Sequence, residues 1–190
     1  LVADMDTATT IDASAATGKV DVTFGTQAAA RTIKGGSGDD TFTEHAAGDL
    51  VNKTTIAAGD GTDTLELLAA SGTILSKTAS TGNVENVTGF EKLVLSSQIT
   101  GTTTIDMSAI SGLKDLSFTD INNGSAAVTV TKLLDGATIT MGDATPDTLS
   151  NAFTYSFVTN SSENNITLKV TDISTPDIIT GDGMADDLII

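Results

Sequence analysis

The sequence predicts an all-β chain built as a stack of short strands, and three observations predict it. Apolar residues alternate with polar ones in runs of two or three, the pattern of a half-buried strand. One sixteen-residue segment recurs further along the chain without a gap. Turns of glycine and aspartate separate the runs, in a chain with 18 glycines, two prolines, no tryptophan and threonine as its commonest residue.

The elements follow in chain order. "TTIDASAATGKVDVTF" (9–24) places Ile11 before a small-residue turn, then Val20, Val22 and Phe24 at alternate positions. "TIKGGSGDDTF" (32–42) and "AAGDGTDTLEL" (57–67) each carry a strand end, a Gly/Asp turn and the start of the next strand. "VENVTGFEKLVLSS" (84–97) contributes Leu93 and Leu95. "TTIDMSAISGLKDLSF" (103–118) aligns on 9–24 at an offset of 94, with nine of sixteen positions identical. It sets Ile105, Leu116 and Phe118 where the first copy has Ile11, Val22 and Phe24, and all six are expected to face inward. Val128 and Val130, then Phe153, Tyr155 and Phe157, then Ile166, Leu168 and Val170 continue the period of two. Two Gly/Asp turns again follow the second copy, "TITMGDATPDTL" (138–149) and "ITGDGMADDLII" (179–190). The same order of features thus occurs in two repeat units, 1–100 and 101–190, within one continuous stack whose rungs bury their faces on one another. Helical periodicity is confined to one candidate turn at 130–137 and another at 71–80.

Charge and composition exclude several function classes. Twenty-five acidic against nine basic residues leave a net charge of −16, which opposes binding to nucleic acid or anionic membranes. Without cysteine there is no disulfide framework, thiolate metal site or cysteine nucleophile. No apolar run approaches the roughly 20 residues of a membrane span. H-E-x-x-H, phosphate-cradling and G-x-S-x-G motifs are missing from the sequence. Glu44 and His45 are neighbours, so on a strand they face opposite ways and make no acid–base pair. No enzyme activity is expected. Asp12 and Asp106 recur with the repeat and read as turn or rung-capping residues. The opening "LVADMDTATT" has no signal-peptide pattern, and the chain reads as a piece of a longer protein.

Such a charge suits cations. "GGSGDDTFT" (35–43) matches the nonapeptide G-G-x-G-x-D-x-U-x at every defined position, and "AGDGTDTLE" (58–66) matches with Ala58 for the first glycine. Glycines let backbone carbonyls turn inward and aspartate adds a carboxylate, while calcium takes about six to eight oxygens at flexible angles. The expected calcium turns comprise Gly36, Gly38, Asp39 and Asp40, and Gly59, Asp60, Gly61 and Asp63. In the second unit "GDATPDTL" (142–149) and "GDGMADDL" (181–188) each have one extra residue before the last aspartate, and Pro146 fixes a backbone angle. Asp143, Asp147, Asp182 and Asp186 are there either calcium ligands or members of ordinary acidic turns.

These motifs resemble the RTX family, the calcium-binding repeat proteins exported by type I secretion. The wider order of segments, 10–24, 32–42, 58–67 and 84–97, is most similar to RTX-type bacterial surface-layer proteins and related large surface proteins. The resemblance implies a right-handed parallel β-solenoid, β-helix-like, with few or no helices and with isolated calcium turns along it. It also implies secretion, an extracellular place on the cell surface, a structural role, and partners that are copies of itself in a lattice or neighbouring domains of the parent chain. An adhesin or carbohydrate-binding segment of a large RTX surface protein is the alternative, and a module beside an enzyme such as an epimerase or lyase a third. In the densely repeated members of the family each ion is shared between coils; the strict motifs here lie 23 residues apart, so shared sites are not assured.

Overall fold

Strands in this chain are short because their apolar residues come in twos and threes before a Gly, Asp or Ser interrupts them. The computed structural model describes residues 2–5, 8–25, 30–50, 54–68, 72–75, 77, 84–119, 127–141, 153–158, 164–170, 179–180 and 187–189. The strands are β1 (Val2–Met5), β2 (Thr10–Asp12), β3 (Asp21–Phe24), β4 (Arg31–Lys34), β5 (Thr41–Glu44), β6 (Thr54–Ala57), β7 (Thr64–Leu67), β8 (Gly72–Thr73) and β9 (Asn86–Thr88). They continue as β10 (Lys92–Leu95), β11 (Thr103–Asp106), β12 (Asp115–Phe118), β13 (Val128–Leu133), β14 (Ala137–Met141), β15 (Phe153–Phe157), β16 (Asn165–Val170), β17 (Ile179–Thr180) and β18 (Asp187–Ile189). Among the described residues the only helical element is a single 3-10 turn, Met107–Ala109, and no helix is long and apolar enough to cross a membrane.

Two units form, one from residues 1–68, 75–93 and 109–113, the other from 69–74, 94–108 and 114–190. In the first, β1, β3, β5 and β7 pair in that order and β2, β4, β6 and β9 form a second sheet. Each described pair is parallel and joins a strand to its equivalent one rung later, which makes the unit a β-solenoid. Its interior is a set of in-register ladders. Val22 lies beside Phe42 and Phe42 beside Leu65, all at most 2 % exposed. Ile33, Ile56 and Val87 form a second ladder, and Phe90 closes edge-on against Phe42 with centroids 5.3 Å apart. Burial of each such side chain contributes about 1.5–3 kcal/mol.

The second unit is built the same way. β12, β14, β16 and β18 pair in one sheet, and β8, β11, β13, β15 and β17 in another, every described pair parallel. Leu116, Ile139 and Leu168 align through its interior, as do Ile105, Val130 and Tyr155, and Phe118 meets Phe153 edge-on at 6.0 Å.

The internal repeat is structural. Residues 9–24 form β2, a turn and β3; residues 103–118 form β11, the 3-10 turn and β12. Val22, Phe24, Ile105, Leu116 and Phe118 are buried as expected. Ile11 differs: it is half-buried, because β2 is the edge strand of its sheet and has a neighbour on one side only. Residues 130–137 do not make the helical turn that their spacing allows. β13 runs on to Leu133 by means of a bulge, with Lys132 at φ 57°, because pairing with β15 outweighs local propensity.

Candidate functional site

The two Gly/Asp turns, 35–40 and 58–63, stack directly in the first unit. Their alignment at a distance of 23 residues is fixed by Thr41 pairing with Thr64 on the strand that follows each. Glycine is required at Gly35 because a Cβ there would lie 1.9 Å from the Ala58 carbonyl oxygen and 2.4 Å from Asp40 Oδ2. Oxygens of two successive rungs therefore close over one Cα, an approach that any side chain would block.

The aspartates point into the stack. Asp40, 1 % exposed, accepts the Val20 N–H of the preceding rung on Oδ1 and the Gly36 N–H of its own turn on Oδ2, both at 2.8 Å. Asp63 repeats the first contact one rung on: its Oδ1 accepts the Asp40 N–H at 2.7 Å. Glu91, which belongs to no nonapeptide, repeats it again, its Oε2 accepting the Asp63 N–H at 2.8 Å. A contact of the opposite sense runs nearer the surface, where Asp39 Oδ1 accepts the Thr62 N–H of the following rung at 2.8 Å. Each acidic side chain thus satisfies an amide that the curvature of the turn leaves without a ladder partner.

The second turn departs from the first at one bond. Gly59 occupies the place of Gly36, but it sits at φ 116°, and no Gly59-to-Asp63 bond replaces the Gly36-to-Asp40 bond. Asp63 Oδ2 consequently has no hydrogen-bond partner among the described residues, although Asp63 is fully buried. Burial first, and then the negative charges of Asp40, Glu91 and Asp39, push the Asp63 carboxyl up to about 6, against the opposing effect of the Asp40 amide. An open groove of about 440 Å³, lined in part by Ser14, Lys34, Gly59, Asp60 and Thr88, runs beside this turn.

Among the described residues no three acidic or histidine side chains converge as a metal cage. Calcium, however, accepts backbone carbonyls as readily as carboxylates, and Asp63 Oδ2 is a buried carboxylate oxygen that lacks a partner. No protein family, curated protein or solved structure matches the chain. The chemistry of the site rests on its own residues.

The expected ligands separate by burial. Asp40 and Asp63 are buried, whereas Asp39, Asp60, Gly59 and Gly61 are exposed; Gly36 is buried and Gly38 half-buried. Asp143, Asp147, Asp182 and Asp186 lie outside the described residues. Glu91 escaped the motif because "TGFEK" has Glu for Asp and keeps only one of its glycines, Gly89, two places before the acid as Gly38 and Gly61 are; that glycine and the alternating "KLVL" strand after it mark the position. Three further buried charged residues carried no sequence signal. Glu44 accepts the Leu50 and Leu68 amides, Asp49 accepts that of Ala46, and Arg31 donates to the Gly25 carbonyl while lying 5.8 Å from the centre of the Phe24 ring. Glu44 is therefore engaged inside the fold, while His45 beside it is exposed.

Asp12 and Asp106 are equivalent capping residues. Asp12 Oδ1 accepts the Ser14 N–H and hydroxyl, and Lys34 Nζ lies 2.9 Å from Oδ2. Asp106 does the same with Ser108 and Lys132, the ammonium at 2.8 Å. The Ser14 hydroxyl and then Lys34 hold the Asp12 carboxyl down to about 2. At Asp106 burial acts upward, and the Lys132 and Ser108 bonds outweigh it and lower the carboxyl.

Proposed function

We propose that this chain is a structural, non-catalytic segment of an exported bacterial surface protein of the surface-layer type, in which calcium stabilises the solenoid. The observation that carries the reading is Asp63 Oδ2, buried and without a partner amid Asp39, Asp40 and Glu91. A buried ionised oxygen beside like charges opposes folding, and a bound cation reverses the sign of that term. Asp63 would supply a carboxylate to the ion, and main-chain carbonyls of the Gly/Asp turns would supply further oxygens. Bound calcium offsets charge and ties successive turns together, stabilising the fold by about 2.7 kcal/mol per site at 100 times the dissociation constant.

Extracellular calcium modules typically bind at roughly 10⁻⁴–10⁻³ M. On that scale the chain is loose in a calcium-poor cytoplasm and folds once outside. A solenoid, whose length is set by its number of rungs, is compatible with a structural role. Thermal melting followed by circular dichroism tests the calcium reading: chelator should lower the melting temperature and millimolar calcium should restore it. Equal melting temperatures under both conditions would refute it. Electron microscopy of the full-length parent with calcium tests the lattice, where ordered two-dimensional sheets are expected and isolated fibres or monomers are not.

A further inference from the structure

Threonines stack in register on the outside of the solenoid. In the second unit Thr73, Thr104, Thr129 and Thr154 hold one register position on four successive parallel strands, β8, β11, β13 and β15, and the register continues to Thr180. In the first unit Thr10, Thr32 and Thr55 make the equivalent column on β2, β4 and β6. Thr10 and Thr104 are matched positions of the internal repeat. Burial of Val128, Val130, Phe153 and Tyr155 fixes the second column, since a slip of one residue would turn its threonines inward. Hydroxyl and methyl groups therefore recur at the strand spacing of about 4.8 Å, on side chains whose branching restricts χ1.

The second unit's column is distinguished by its free hydroxyls and its lack of charge. Thr73, Thr104, Thr129 and Thr154 donate to no protein group among the described residues, whereas Thr88, Thr103 and Thr131 spend their hydroxyls on main-chain carbonyls. Thr73 is exposed and the other three are half-buried. No charge interrupts them, in a chain of net charge −16. The outward columns of β3, β5 and β7 and of β12, β14 and β16 are each broken by a charge, at Asp21, Glu66, Asp115 or Lys169. Beside the column lie Thr131 and Ser156, and Asp106, whose carboxylate is taken by Ser108 and Lys132.

We propose that this threonine face binds ice. A mineral surface calls for rows of carboxylates, and a crystalline polysaccharide for exposed aromatic rings; all six phenylalanines and the single tyrosine are buried. Uncharged hydroxyls alternating with methyls instead suit a periodic layer of water. The methyls restrict the water lying over them, and the hydroxyls hold it by hydrogen bonds at the strand repeat. That layer then merges with the surface of a growing crystal. The activity uses no ion and stands apart from the calcium reading.

Partition of the 190-residue chain into slowly grown ice, measured with thermal hysteresis in the presence of calcium, tests the proposal. Each variant is first checked for the wild-type circular dichroism spectrum. The wild-type chain should enter the ice and show hysteresis. Thr129→Lys, which sets a long charged side chain in the middle of the column, should lose both signals. Thr129→Val keeps the shape and removes the hydroxyl, and should lower them. Thr138→Lys, on the outward face of β14, should match wild type. Exclusion of the wild-type chain from ice overturns the proposal, and so does full activity in Thr129→Lys or an equal loss in Thr138→Lys. Retention on crystalline cellulose together with exclusion from ice would give the face to a polysaccharide instead.

Discussion

Lys132 adopts a left-handed backbone, φ 57°, and from there its Nζ reaches Asp106 Oδ2 on the neighbouring rung at 2.8 Å. The left-handed region costs a residue with a Cβ about 1–2 kcal/mol, and an exposed ion pair returns about 0.2–1 kcal/mol. Lys132→Ala keeps the backbone cost and loses the pair; Lys132→Gly loses the pair and relieves the backbone. Lys132→Ala should therefore melt below Lys132→Gly in a thermal scan, with glycine within about 0.5 kcal/mol of wild type. A glycine variant less stable than the alanine variant would mean that the bulge is not strained.

Glycine substitutions should rank by what surrounds them. Gly35→Ala places a Cβ 1.9 Å from the Ala58 carbonyl oxygen, backbone that cannot step aside, and should prevent the first unit from folding natively. Gly48, at φ 88° with no atom within 4 Å of an added Cβ, should cost about 1 kcal/mol as alanine, the conformational penalty alone. Gly18 has equal space and no left-handed backbone, so Gly18→Ala should be neutral or stabilising by up to about 1 kcal/mol. Urea midpoints measured on the three variants decide the order.

Asp40→Ala strips the acceptor from two buried amides, Val20 and Gly36. Each abandoned donor costs about 1–3 kcal/mol, so a loss of about 2–6 kcal/mol is expected. The loss should be the same in chelator and in calcium. A deficit seen only in calcium would make Asp40 a ligand instead of a cap.

Acid should act on the chain in two opposite ways. The Asp12 carboxyl is lowered from 3.8 to about 2, so its contribution is complete above the unfolded value and is lost as pH falls through that interval; Asp12→Asn should remove this part of the acid transition. The Asp63 carboxyl is raised from 3.8 to about 6, so in calcium-free protein its proton stabilises the fold below that interval and the benefit is lost as pH rises through 6. In chelator the melting temperature should rise between pH 7 and pH 5, and Asp63→Asn should flatten that rise. A flat wild-type profile would mean that Asp63 is not held in a desolvated, acidic setting.

The strands were legible because a period of two leaves few other ways to bury Val22, Phe42 and Leu65 in one ladder. Asp12 and Asp106 were legible as caps because they recur with the repeat and each precedes a serine two residues later. The turns were legible as a place but not as a mechanism. Motif agreement treats Asp40 and Asp63 alike, and only three-dimensional structure shows that one carboxylate is closed by Gly36 and the other open at Gly59. Glu91 was hidden because its role depends on lying one rung beyond Asp63, 28 residues away. The region 130–137 misled because local spacing cannot foresee a bulge imposed by the next strand.

Three acidic residues of the first unit reach backwards in sequence, Asp40 to Val20, Asp63 to Asp40 and Glu91 to Asp63, whereas Asp39 and Glu44 reach forwards to Thr62 and Leu68. The stack consequently has a grain, like a row of roof tiles in which each course pins the one beneath. Lifting the last tile bares a main-chain amide, whereas sliding out the first bares only an acid group that water and ions readily wet. Two opposite loading directions on the same unit should thus meet unequal resistance, a mechanical polarity written into the order of three acidic residues.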